Sequence, residues 1–263
     1  MNEFKGIGAL TGVMQRLRDP DNGCPWDLKQ SFESLLPYTI EETYEVVDAI
    51  QSGDMAAIKD ELGDLLFQVV FYAQLANEQG EFSFDDIAEH TANKLIHRHP
   101  HVFGTDAERN LSDAEIKAQW EQIKQQERTK KNARGSVFDD IPSQLPSILK
   151  AAKLQKRASS VGFDWPEAEP VYAKIEEEIQ EVKDATEQEH IEEEVGDLLF
   201  AVVNLARHKQ VNPERALQRA NEKFKSRFQH IEQTLSQQNK QAGDSSLQEL
   251  EALWQQAKKA GLL

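Results

Sequence analysis

Two groups of carboxylates are set apart by their spacing. Glu41-Glu42-x-x-Glu45 is followed by Glu61-x-x-Asp64, and Glu177-Glu178-x-x-Glu181 is followed by Glu194-x-x-Asp197. On a helix, residues three and four apart share a face, so Glu42 points with Glu45, Glu61 with Asp64, Glu178 with Glu181, and Glu194 with Asp197. On an isolated helix such a pair costs only about 0.2–0.5 kcal/mol. The segments behind the second pairs, LLFQVVFYAQLA after Asp64 and LLFAVVNLA after Asp197, raise that cost. They are apolar on nearly every side, which predicts buried helices with two acids in the first turn of each. A carboxylate withdrawn from water is strongly destabilising unless it is paired or coordinates a metal, and a helix N-terminus offsets only about 0.3–1 kcal/mol. Oxygen ligands without His or Cys suit Mg²⁺ or Mn²⁺, which commonly complete their coordination with water and substrate phosphates. Gly63 and Gly196, between the acids, would let a neighbouring helix or a phosphate approach, against the ~1 kcal/mol that a mid-helix glycine costs.

The elements that position these acids are written twice. Gly23-x-x-Trp26 is matched by Gly162-x-x-Trp165, Lys94-x-x-x-Arg98 by Lys223-x-x-x-Arg227, and WEQIK from Trp120 by WQQAK from Trp254, all in the same order. Helical periodicity dominates each half. Leu10, Val13, Met14 and Leu17 mark a first amphipathic helix, as Ile148, Leu149, Ala152 and Leu154 do in the second half. Pro37 suits the first turn of the next helix, Glu61 to Ala76 forms a third, and Phe84 to Arg98 a fourth that Pro100 stops. No segment alternates with period two long enough to be a strand. The expectation is an all-α chain of two tandem helical bundles: residues 1–134, a linker over 135–146 carrying Gly135, Pro142 and Pro146, and residues 147–263.

Composition narrows the function. The 263 residues are 39% hydrophobic and 29% charged, as in a globular protein, and the net charge of −16 repels nucleic acid and anionic membranes. One cysteine, Cys24, leaves no intrachain disulfide and no thiolate zinc cluster. No stretch approaches the ~20 apolar residues of a membrane span and the N-terminus lacks a secretory pattern, so the expected location is the cytoplasm.

The second acid pattern, with twelve residues between Glu181 and Glu194, resembles the signature of MazG-type nucleoside triphosphate pyrophosphohydrolases of the all-α NTP pyrophosphatase superfamily. GCPWD, RHPHVF, KLQKRASSVGFDW and EVGDLLFAVVNLARH resemble the same family, across nearly the whole chain. The resemblance implies Mg²⁺-dependent hydrolysis of (d)NTPs to (d)NMP and pyrophosphate, in control of nucleotide pools, by a homodimer. It carries the metal-binding role onto Glu178, Glu181, Glu194 and Asp197, with Glu42, Glu45, Glu61 and Asp64 as first-half counterparts. It carries phosphate binding onto Lys223 and Arg227, matched by Lys94 and Arg98. His190 stands where the family pattern has a lysine, and the helix ends just after Arg98 but continues after Arg227. Both differences bear on the site, and the second favours the C-terminal half as the active one.

Within that reading, Glu177 or Glu178 is the candidate proton acceptor. Trp254 offers an indole face that would accept any base, although with Leu250 and Leu253 it also has the spacing of a core residue. His97, His99 and His101 alternate around Pro100 and form no credible zinc site. A nucleotide-sensing module without turnover is the alternative, but it would not need two complete acid quartets. The apolar third helix predicts a dimer paired through it.

Overall fold

The computed structural model describes residues 5–105, 111–131 and 135–261. Its elements are helical, and no strand occurs among the described residues. The chain divides into two compact units, Met1–Glu127 and Arg128–Leu263.

The first unit runs α1 (Gly6–Leu17), a 3-10 turn at Asp27–Lys29, α2 (Phe32–Ser52), α3 (Met55–Glu78), α4 (Phe84–Arg98), the short α5 (Pro100–Phe103) and α6 (Asp113–Lys131), whose end passes the unit boundary. Helix α4 has the bounds its sequence predicts, because Ser83 and Asp86 form a capping box at its start and Pro100 follows its end. Helix α2 starts earlier than Pro37 suggests. Ser31 and Ser34 cap it reciprocally, and Pro37 lies inside, where it removes a single backbone donor. Gly53, at φ +74°, ends α2, and the Asp54 side chain accepts from the Ala56 and Ala57 amides to begin α3.

That cap moves the acids. Helix α3 begins at Met55, and in the second unit α9 begins at Gln188. Glu61 with Asp64, and Glu194 with Asp197, therefore lie beyond the first turn, and the helix dipole gives them little relief.

The second unit repeats the plan: α7 (Ser147–Ser159), α8 (Glu169–Asp184), α9 (Gln188–His208), α10 (Pro213–Gln237), a 3-10 turn at Ala242–Asp244 and α11 (Leu247–Lys259). Helices α2 and α3 pack together in the first unit, and α8 and α9 in the second, so each acid pair faces its partner pair across one helix–helix seam. The third helices are not buried on all sides. Leu62, Leu66 and Val69 on α3, and Val195, Leu199 and Val202 on α9, are exposed at i, i+4, i+7 spacing.

The repeats differ in what fills their interiors. Met14, Leu35, Val70, Phe71 and Leu75 form the first unit's core, with Phe67 packed against it. By the repeat register, Leu35, Phe67 and Phe71 correspond to Val171, Phe200 and Asn204, and those three line a cavity of about 690 Å³ in the second unit. Substituting asparagine for the fully buried Phe71 leaves room that the first repeat fills. A second apolar cluster, Ile231, Leu235 and Leu253, joins α10 to α11.

Candidate active site

Helix α8 brings Glu178, and α9 brings Glu194 and Asp197, so that one carboxylate oxygen from each lies within 4.8 Å of the others. Glu178 is only 3% exposed. Its Oε1 is 2.8 Å from Lys174 Nζ, whereas its Oε2 is buried with no hydrogen-bond partner. An orphaned, buried carboxylate oxygen beside two further carboxylates is the environment a hard divalent cation satisfies, so the donor set fits Mg²⁺ or Mn²⁺. Glu181 adjoins the cluster. Burial first, then a hydrogen bond with Glu178 and the charges of Glu178 and Glu194, hold its carboxyl above the usual range.

Basic side chains frame the acids. Lys174 bridges Glu177 and Glu178 at 2.8 Å each, and these hydrogen bonds, Glu177's first, raise its ammonium above its ordinary value. His190 Nε2 lies 2.8 Å from Glu194 Oε1, one helical turn away on α9. The sequence reading missed Lys174. Its signal was the i, i+4 spacing to Glu178 on one helix, the arrangement that favours an ion pair.

The first unit gathers Glu42, Glu45 and Glu61 equally closely. Asp64 stands near enough to act on Glu42, whose carboxyl is raised by burial first and then by Asp64, Glu45 and Glu61. Glu61 is raised by burial and then by Glu45 and Asp64. Tyr38 occupies the position that matches Lys174. Arg98, the counterpart of Arg227, is held by both oxygens of Glu127, its Nη2 at 2.5 Å.

The cavity of the second unit joins the acid cluster: Lys174, Glu178 and Asp197 line it together with Leu154, Phe163, Trp165 and Phe200. Along α9 it extends from Asp197 to Arg207, about 15 Å at 1.5 Å per residue. Arg207 holds Asp164 through both of its terminal nitrogens, Nη1 at 2.8 Å, and His208 Nε2 lies 3.2 Å from the same carboxylate. The Arg207 hydrogen bond is the main reason that the Asp164 carboxyl sits at about 2. This clamp anchors the loop on which Phe163 is 82% exposed at the cavity wall.

Lys223, Arg227 and Trp254 are not among the residues lining the cavity. Arg227 lies over the Trp254 ring at 5.6 Å, Phe224 packs beside that ring at 5.2 Å, and Trp254 rests on the Ile231–Leu235–Leu253 cluster. One face of the indole expected to stack on a base is thus covered by the guanidinium. A Cβ at Gly63 or Gly196 would meet nothing within 4 Å, so no neighbouring helix within either unit requires these glycines.

Comparison with known proteins agrees with this geometry. The domain described as "MazG nucleotide pyrophosphohydrolase domain" matches residues 30–103 and again 167–232. The chain is 51% identical to the nucleoside triphosphate pyrophosphohydrolase of Escherichia coli K12, over 96% of this chain and 97% of that one. It is 44% identical to the nucleoside triphosphate pyrophosphohydrolase/pyrophosphatase MazG of Thermotoga maritima, over 95% and 94%. The two domain matches, one in each helical unit, together with this identity over nearly the whole chain, place it in the MazG family of nucleotide pyrophosphohydrolases.

Proposed function

We propose that this pyrophosphohydrolase works through its C-terminal unit, cleaving ribo- and deoxyribonucleoside triphosphates between the α and β phosphorus atoms to monophosphate and pyrophosphate. The observation that carries this is the buried, unpartnered Oε2 of Glu178 at the junction of the carboxylate cluster and the cavity. Glu178, Glu181, Glu194 and Asp197 would hold Mg²⁺, with Mn²⁺ as a substitute. Bound there, the cation would polarise the phosphoryl oxygens and lower the pKa of a coordinated water.

The chain's own groups do the remainder. Lys174 fixes the Glu177 and Glu178 carboxylates, and His190 orients Glu194. Glu177, more exposed than Glu178, accepts the proton of the attacking water. Lys223 and Arg227 grip the phosphates that leave as pyrophosphate, with Trp254 backing the Arg227 guanidinium. The aromatic cavity takes the nucleoside, and its apolar walls accept more than one base, in keeping with control of nucleotide pools.

Two features support the second unit over the first: the open cavity where the first repeat has Phe71, and Lys174 where the first has Tyr38. The exposed stripes on α3 and α9 support a homodimer that covers them. A cytoplasmic location rests on the single cysteine, and no described helix is long and apolar enough to cross a membrane.

Product analysis by ³¹P NMR tests the reading. ATP and Mg²⁺ with the full chain should give AMP and pyrophosphate in equal amounts. Orthophosphate as the first product would contradict the cleavage position, and no product at millimolar ATP would return the chain to nucleotide sensing without turnover.

A further inference from the structure

We propose that Gln155 is the residue that recognises the nucleobase, its Oε1 accepting a hydrogen bond from an N–H on the Watson–Crick edge. The inference rests on the C-terminal site just described. Gln155 is 7% exposed and lines the cavity beside Leu154 and Ala158. Its Nε2 donates to the Phe200 carbonyl at 2.8 Å. A carbonyl can only accept, so that bond fixes which way the amide faces and leaves Oε1 on the opposite side. Oε1 is buried and has no partner. Buried acceptors left unpaired are uncommon and destabilising, and Gln155 carries one in the wall of a cavity that adjoins the acid cluster, where a small turn of the side chain would present it to a ligand donor.

The rest of the wall suits the remainder of a base. Leu154, Phe163 and Trp165 offer apolar and aromatic faces to a flat ring. Phe200, whose carbonyl holds the amide, is about one helical turn along α9 from Asp197, so the reader stands beside the acid cluster. In the first repeat Phe71 fills the corresponding interior, and the buried, unpartnered amide oxygen there, on Gln68, is not part of that unit's small cavity.

A single fixed acceptor, its donor already committed, has a definite selectivity. Adenine and cytosine offer an exocyclic amine, and guanine, hypoxanthine, uracil and thymine a ring N–H one position along the same edge, so each can satisfy the acceptor once the base slides by about one atom position in its plane. Purine itself, with neither group on its six-membered ring, cannot. The same contact therefore gives a broad range among ordinary triphosphates and rejection of a base without a donor.

Steady-state hydrolysis by the full chain with Mg²⁺ tests this, with ATP, ITP and purine riboside triphosphate as substrates. Wild-type kcat/KM should be similar for ATP and ITP and lower by about 10–100-fold for purine riboside triphosphate, the effect of leaving one buried acceptor unpaired. In Gln155→Met, which conserves volume, the ATP-to-purine ratio should fall to about one. A wild-type ratio near one overturns the inference while leaving the enzyme reading intact. A ratio that persists in Gln155→Met, with all three substrates slowed together, assigns the residue a structural role and also overturns it. Should Gln155→Met fail to fold, the wild-type ratio decides. Absence of turnover with every substrate instead refutes the underlying reading of the site.

Discussion

Replacing Glu178 by glutamine separates the cost of the carboxylate cluster from its use. At an effective dielectric of about 20, Glu194 and Asp197, each with an oxygen within 4.8 Å, repel Glu178 by about 3.5 kcal/mol apiece. Lys174, at 2.8 Å, returns at most about 6 kcal/mol, reduced by the solvent screening of its partly exposed ammonium. The Coulombic terms nearly cancel, which leaves the desolvation of a carboxylate with one unpaired oxygen, about 1–3 kcal/mol. Glu178→Gln should therefore stabilise the cation-free chain by about 1–3 kcal/mol, opposite in sign to most substitutions at a buried position. Mg²⁺ should reverse the order. Wild type gains about 2.7 kcal/mol at a hundredfold excess over Kd, and the variant, lacking one ligand, gains far less. Urea denaturation of both proteins, in chelator and in excess Mg²⁺, measures all four stabilities. A variant less stable than wild type in chelator, or one gaining as much from Mg²⁺, would refute the reasoning.

The two acid clusters should differ in consequence: Glu194→Gln lowers the rate of pyrophosphate release by about 100-fold or more, as loss of a cation ligand implies, while Glu61→Gln leaves it within about twofold if the first unit is not the site of turnover. Asp164 has a folded pKa of about 2, below its ordinary 3.8, so its pairing with Arg207 contributes stability above the ordinary value and loses it as pH falls through the folded one. Asp164→Asn should cost about 1–2 kcal/mol at pH 7 after allowance for screening, and urea titrations should show the difference closing between pH 4 and about pH 2. Leu199→Lys, in the exposed stripe of α9, should shift the light-scattering mass from twice 29.9 kDa toward 29.9 kDa, and an unchanged mass would place the dimer contact elsewhere.

Local signals carried the architecture far. Phe84–Arg98 was legible because a capping serine and a following proline bracket it. The starts of α2 and α3 were less so, because Ser31 and Asp54 cap them from outside the apolar pattern that drew attention to Pro37 and Glu61. The acid constellation was legible because helical spacing converts directly into a shared face. The cavity was not: it arises from a difference between repeats, asparagine for phenylalanine at the Asn204 and Phe71 positions, which has meaning only once three helices are packed. Gln155 was hidden for the same reason. A glutamine in KLQKRA reads as a surface residue until the Phe200 carbonyl is found 2.8 Å from its amide. The apolar runs of α3 and α9 were legible as helices with more apolar surface than one small bundle covers, and in the single chain one stripe of each is exposed.

Every step of the proposed reaction depends on a divalent cation at the C-terminal carboxylates. The most direct test is the initial rate of pyrophosphate release from ATP by the full chain as a function of free Mg²⁺ in chelator-buffered solution. In wild type the rate should vanish without the cation and rise to saturation with it. Pyrophosphate release that continues undiminished in excess chelator would contradict that dependence.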